Sequence, residues 1–216
     1  VSELDYEVLH KNVYYFPGVI KDIDNVMSTL DEVNSLSVTP WETWYANNDA
    51  KENPYGDLKT LNKSLLEDET DPEVKKKSLY ILDSILGPMT ETCKEFLKQH
   101  GADQQELDHV DREIMNGTQT YGIRRYDENL GMGPHQDMVV DDRDTITVAV
   151  YLDDNYEGGE LGIVHEGLDI SIKNKAGSIV VFPSGYFHES KNLISGRKTI
   201  ITHVHMPINK IIDMEV

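Results

Sequence analysis

Six short stretches decide how this sequence folds: TQTYGIRRY (118–126), TITVAVYL (145–152), ELGIV (160–164), DISIKN (169–174), SIVVFP (178–183) and TIITHVHM (199–206). They are rich in Thr, Val, Ile and Tyr, side chains that fit a pleated, half-buried surface. Turn-forming runs bound them: DENLGMG (127–133), DDNYEGG (153–159) and NKAG (174–177). At least six strands at this spacing, within about ninety residues, predict an antiparallel double-sheet barrel or jelly roll. The fold class is therefore α+β with a mainly β core, in which helices from the first half of the chain cover one sheet.

Upstream the period changes from two to that of a helix. Asp22 can cap a segment in which Ile23, Val26, Met27, Leu30 and Val33 recur at helical spacing. A second helix starts at Asp71-Pro72, a cap followed by proline at the first helical position, and presents Val74, Ile81, Leu82, Ile85 and Leu86. Gly87-Pro88 is expected to interrupt it. Met89, Cys93, Phe96 and Leu97 continue the apolar stripe to a stop at Gly101, which makes Cys93 a core residue. Residues 45–69 are polar, hold Pro54 and Gly56 and keep no period, so they read as a solvated excursion or a lid. The organisation expected is one domain, 1–216: a mainly helical support over 1–117 with a long loop about 45–69, and the β core over 118–208.

Composition narrows the chemistry. With 20 Lys+Arg against 39 Asp+Glu the formal net charge is −19. Nucleic-acid binding rests on Lys and Arg neutralising phosphates, so this field argues against a polyanionic partner and favours a neutral or basic one. No window reaches the 18 or so apolar residues of a membrane span, and VSELDYEVLH lacks a signal-peptide pattern, so a soluble cytoplasmic protein is expected. The single cysteine excludes an internal disulfide and any multi-cysteine zinc site. A bound metal must be held by imidazole and carboxylate.

One set of such residues stands out. His135-Gln136-Asp137 follows the glycine turn LGMGP, and His188, in FPSGYFHES, lies 51 residues beyond Asp137. Residues i and i+2 share a face of an extended strand. Two imidazoles and one carboxylate fill one face of an octahedral metal and leave the other open, the facial triad of non-haem Fe(II) oxygenases. Among eight histidines and 39 acids such spacing also arises by chance, so the surrounding order of motifs carries the argument.

That order resembles the double-stranded β-helix core of the 2-oxoglutarate- and Fe(II)-dependent dioxygenases, especially the prolyl 4-hydroxylase-like branch. Tyr126 of Arg125-Tyr126 stands nine residues before His135; VAVYLDDNYEGGEL (148–161) matches a strand ending in Tyr-Leu followed by Gly-Gly-Glu-Leu; NKAGSIVVFPSGYFHES (174–190) matches the run to the distal His; Gly196-Arg197-Lys198 supplies the basic residue after it. The resemblance covers residues 118–206 and says little about 1–110.

What the resemblance implies is specific. His135, Asp137 and His188 would hold Fe(II), and 2-oxoglutarate would chelate the metal while its distal carboxylate reaches a cation deep in the barrel. Arg197 and Lys198 compete for that role, because adjacent strand residues face opposite sides; the phase of Thr199, Ile201 and His203 favours Arg197. Tyr151 matches the tyrosine that donates to the distal carboxylate, and Tyr126 one lining the same pocket. Gly158 and Gly159 permit a tight turn, and Glu160 reads as structural. The activity implied is oxidative decarboxylation of 2-oxoglutarate to succinate and CO2, coupled to hydroxylation of an unactivated C–H bond with dioxygen as co-substrate and ascorbate as an accessory reductant. The substrate is a peptide or protein residue such as proline, or else a small metabolite or free amino acid; a silent barrel serving as an interaction module is the non-enzymatic alternative. Loops 45–69, 127–133 and 138–144 would form the substrate rim. Two departures weaken prolyl specificity: Asn192 replaces a proline and His203 a tryptophan. His203 and His205 share a strand face as a potential second metal pair, with a pocket or core role the simpler reading and no third ligand indicated.

Overall fold

The structure, a computed structural model, describes residues 4–36, 42–45, 54–61, 71–115, 121–137, 145–165 and 167–211. Its centre is three strands, β7 (Ile146–Tyr151), β11 (Ser178–Pro183) and β14 (Lys198–His205). Every residue of β7 and β11 is buried, because both faces of the sheet are covered. Val148, Val150, Ile179, Val181 and Ile201 face a helical layer, whereas Ala149, Tyr151, Val180, Phe182 and Ile200 face the barrel interior. Each fully buried aliphatic or Phe side chain contributes about 1.5–3 kcal/mol relative to exposure. The two-sided burial holds this trio of strands firmly within the sheet.

Around the trio, β1 (Glu7–His10), β2 (Val13–Phe16), β3 (Glu42–Tyr45), β4 (Pro54–Leu61) and β5 (Tyr121–Tyr126) complete an eight-stranded sheet in the order β1-β2-β11-β7-β14-β5-β4-β3. The opposing sheet has the order β10-β9-β12-β6, built from β6 (Met132–His135), β9 (Leu161–His165), β10 (Leu168–Ile172) and β12 (Phe187–Ser190). A two-stranded ribbon joins β8 (Tyr156–Gly158) to β13 (Leu193–Gly196). The paired sheets form the double-stranded β-helix.

The helical layer consists of α1 (Ile23–Leu36), α2 (Pro72–Gln99) and α3 (Gln104–Val110), the last running into a π-helical turn at Asp111–Met115. Val26, Leu30 and Val33 of α1 pack with the α2 stripe, and α2 lies against β7 and β11. Asp71 caps α2 by accepting from the backbone N–H groups of Glu73 and Val74, and Gly101 ends it at φ 84°.

Three expectations for the first half change. Helix α2 runs unbroken through Gly87-Pro88. The proline forfeits the single hydrogen bond its own N–H would make, while twelve buried side chains along α2 hold both halves against the core. The described residues among the first 117 also supply four strands besides the helices. Finally, the aperiodic stretch 45–69 contains β4, which pairs antiparallel with β5 through registers such as Asp57↔Arg125 and Lys59↔Ile123. Residues 46–53, 62–69 and 138–144, parts of the expected substrate rim, lie outside the described residues.

Candidate metal and 2-oxoglutarate site

The site lies at the mouth of the barrel, where the small sheet meets the large one. His188 of β12 is paired directly with His135 of β6, and their ring centroids are 4.2 Å apart. Strand β6 ends at His135; the chain then turns so that the Asp137 backbone N–H donates to the Ser184 carbonyl at 3.1 Å. The carboxylate thereby reaches both rings, with Oδ1 3.8 Å from His135 Nε2 and Oδ2 3.5 Å from His188 Nε2. One ligand atom from each of the three residues lies within 4.8 Å of the others.

Hydrogen bonding orients this trio. His135 Nδ1 is 2.9 Å from the Gly133 carbonyl and His188 Nδ1 is 3.0 Å from the Tyr186 carbonyl. A carbonyl only accepts, so each Nδ1 carries the proton and each Nε2 presents its lone pair. Burial lowers the His188 pKa, with His135 and Arg124 adding to the effect against the pull of Asp137. That keeps His188 neutral and able to ligate. The Thr147 hydroxyl donates to Asp137 Oδ2 at 2.5 Å, and Ser184 Oγ, 2.8 Å from Thr147 Oγ1, donates to Thr147 in turn. Two neutral imidazoles and an oriented carboxylate suit a hard divalent ion such as Fe(II).

The same pocket runs inward from this trio to Lys198. Lys198 is 1% exposed; its Nζ donates to the Gly159 carbonyl at 2.6 Å and to Ser190 Oγ, and lies 5.2 Å from the centre of the Tyr126 ring. Among the described residues no carboxylate lies within ion-pair distance of it. Burial lowers its pKa to about 8, against the attraction of Asp153 and Glu160. A buried ammonium with neutral partners is costly, and a carboxylate ligand would supply the missing charge. Tyr151, 2% exposed, lines the same end. Burial raises its pKa well above the usual phenol value, so the hydroxyl stays protonated and able to donate. The residues present therefore fit both Fe(II) and a dicarboxylate.

The phase that favours Arg197 is reversed in the structure. Lys198, Ile200 and Thr202 line the pocket, whereas Thr199, Ile201, His203 and His205 face the helices. Arg197, half-exposed outside the barrel, donates from Nε to Asp127 Oδ1 at 2.8 Å. The reason is physical: β14 is buried on both sides, so Ile200 and Ile201 are both core residues and no polar–apolar alternation marks the inner face. His203 and His205 likewise lie behind the sheet. Gly158 and Gly159 adopt φ of 74° and 67°, and the turn they form aims the Gly159 carbonyl at Lys198.

Sequence reading passed over Thr147, Ser190 and Arg124, all of which line the pocket. The signal was present in the alternation: Thr147 is in phase with Ala149 and Tyr151, Ser190 with His188, and Arg124 with Tyr126.

Residues 121–205 match the family described as the 2OG-Fe(II) oxygenase superfamily. A PKHD-type hydroxylase of Prochlorococcus marinus is 32% identical over 77 residues, 34% of this chain and 35% of that relative, so the match spans about a third of the relative's length. Among solved structures, a Trichoplax adhaerens prolyl hydroxylase in complex with a hypoxia inducible factor oxygen degradation domain peptide fragment aligns with TM-score 0.56 at 16% identity, covering 93% of this chain and 84% of that one. A Pseudomonas putida prolyl-4-hydroxylase aligns with TM-score 0.52 at 15% identity, covering 94% and 95%. These two alignments establish a shared fold.

Proposed function

We propose that this protein is an Fe(II)- and 2-oxoglutarate-dependent oxygenase that hydroxylates an unactivated C–H bond of a peptidyl residue such as proline. One observation carries the reading: a single pocket has the His135, Asp137 and His188 trio at its mouth and, at its inner end, the buried Lys198 ammonium, which has no carboxylate within ion-pair distance among the described residues. The reaction balances as 2-oxoglutarate, dioxygen and R–H giving succinate, CO2 and R–OH. Iron, when bound, supplies the activation of dioxygen and the oxidising power.

The chain supplies the rest. His135 and His188 offer Nε2 because backbone carbonyls hold their Nδ1 protons. Asp137, fixed by Thr147, offsets the metal charge. Lys198 takes the distal carboxylate of 2-oxoglutarate, with Tyr151 donating beside it. Phe182, Leu161 and Ile200 form an apolar wall that limits water around the reacting centre. The acidic surface, at a net charge of −19, favours a neutral or basic peptide over a polyanion. No helix among the described residues is long and apolar enough to cross a membrane.

A second reading, hydroxylation of a small carboxylate-bearing metabolite or free amino acid, draws on Arg124. Its side chain lines the metal end of the pocket, donates to Thr202 and acts electrostatically on His188. A guanidinium there suits a substrate carboxylate.

Anaerobic addition of Fe(II) and 2-oxoglutarate tests the chemistry. A visible charge-transfer band is expected with the wild-type chain and not with Asp137→Ala or His188→Ala, and succinate release should follow admission of oxygen. Absence of both signals overturns the oxygenase reading. A peptide array scored for gain of one oxygen mass then separates the substrates: turnover confined to small acids, lost in Arg124→Gln, overturns the peptide assignment.

A further inference from the structure

Behind β14, on the face of the large sheet opposite the oxygenase pocket, lies a second group of metal-type ligands. His203 and His205 project from β14 towards α3 and its π-helical turn, where they meet Glu106, His109 and Glu113. His205 is 0% exposed, Glu106 0% and His203 5%. Within this group Glu113, His203 and His205 each bring one ligand atom within 4.8 Å of the other two.

The hydrogen bonding leaves this trio unsatisfied. Glu113 Oε2, His203 Nε2 and both nitrogens of His205 are buried without a hydrogen-bond partner. Glu113 Oε2 and His205 Nδ1 converge to 2.7 Å, yet without the alignment of a hydrogen bond. Buried polar atoms are almost always paired, so orphans gathered in one cluster of ligand-type residues call for an occupant. By contrast, the neighbouring carboxylate Glu106 is well supported, accepting from the Ile208 and Asn209 backbone N–H groups at 2.9 to 3.2 Å. It stands 3.5 Å from His205 Nε2, on the side away from Glu113. A carboxylate behind one ring nitrogen is the usual support for a histidine whose other nitrogen binds a metal.

We propose that Glu113, His203 and His205 form a second metal site, for a divalent ion of the zinc class, which clamps the π-helical turn to the back of β14. Three protein ligands of this kind with a fourth position open to water are a common zinc arrangement. Ligand atoms bound at about 2.0–2.2 Å to one tetrahedral ion lie ~3.3–3.6 Å apart, so closing the trio takes side-chain rotations that move ligand atoms by up to about an ångström and open the Glu113–His205 pair. Charge favours a cation: Glu106 and Glu113 raise the His205 pKa against its burial, a dication in place of that proton balances both carboxylates, and burial keeps His203 neutral with its pKa lowered to about 4. Glu113 is 16% exposed at its side chain, which gives the ion a route in. The rival occupant is a proton on His205 shared between the two carboxylates, an arrangement that leaves His203 Nε2 with nothing.

The test uses the full chain carrying Asp137→Ala and His188→Ala, which empties the oxygenase site. After chelation, this protein is expected to bind one equivalent of Co2+, with visible ligand-field absorption and a higher thermal unfolding midpoint. Adding His203→Gln or Glu113→Gln should weaken binding more than tenfold. No Co2+ uptake by the double variant, or uptake unchanged by either added substitution, overturns the proposal. Should those added variants fail to fold, nitrogen NMR of the double variant with Zn2+ decides: the imidazole signals of His203 and His205 are expected to move, and their constancy refutes the site.

Discussion

The hydroxyl of Thr147, on β7 of the large sheet, donates to Oδ2 of Asp137 at the mouth of the barrel. It ties the one carboxylate of the proposed metal trio to a strand buried along its whole length. Removing the donor in Thr147→Val keeps the shape and frees the carboxylate to rotate. Fe(II) affinity should fall by about 10–100-fold, the range for loss of a supporting hydrogen bond to a metal ligand, as read by anaerobic titration. An unchanged affinity would show that Asp137 is positioned by its backbone alone.

The two adjacent cations should behave very differently. Lys198→Ala removes a buried charge-assisted partner worth about 1.5–3 kcal/mol, so the KM for 2-oxoglutarate should rise roughly 10–100-fold. Arg197→Ala removes only an exposed pair with Asp127, worth about 0–1 kcal/mol, and should leave that KM within about fivefold. Steady-state kinetics at saturating iron compares the two.

A pH series gives opposite trends for binding and folding. With a pKa lowered to about 8, Lys198 loses its proton in the cosubstrate-free protein as pH rises through 8, and 2-oxoglutarate affinity falls above that point. The unfolded chain, with an ordinary lysine near 10.5, binds more protons between pH 8 and 10.5. The contribution of Lys198 to stability therefore rises with pH across that window. Calorimetry for binding and urea unfolding for stability measure the two slopes, and Lys198→Met should flatten both.

Gly158→Ala should damage cosubstrate binding through the backbone. At φ 74° an added Cβ would lie 2.7 Å from the Asn192 carbonyl oxygen, and left-handed backbone alone costs an L-residue about 1–2 kcal/mol. The neighbouring Gly159 carbonyl, which holds Lys198 Nζ, must shift. A lower unfolding midpoint together with a raised KM for 2-oxoglutarate is expected; a change in the midpoint alone would separate the turn from the pocket.

The legible parts of the molecule are those where one local rule suffices. Turn residues bracket β7, β11 and β14, Asp71-Pro72 marks the start of α2, and the i, i+2 spacing of His135 and Asp137 brings them to one side. Strand β4, PYGDLKTL, is a poor strand former by composition, and pairing with β5 imposes its conformation. The choice between Arg197 and Lys198 is hidden for another reason: with helices on one side and the barrel on the other, β14 is buried on both faces and carries polar and apolar residues on each. Thr147 belongs to a run that reads as core, and only the position of Asp137 after the β6 turn gives its hydroxyl a purpose.

Strand β14 carries two independent messages, one on each side. A slip of one residue in its pairing would exchange the faces along its length. The proposed cosubstrate pocket has a built-in spare for a slip in one direction, because Arg197 would arrive where Lys198 now lies and a cation would still be present. The opposite face has no spare: Thr202 and Val204 would take the places of His203 and His205. For a slip in that direction, tolerance is therefore set by the side of the sheet facing away from the proposed pocket.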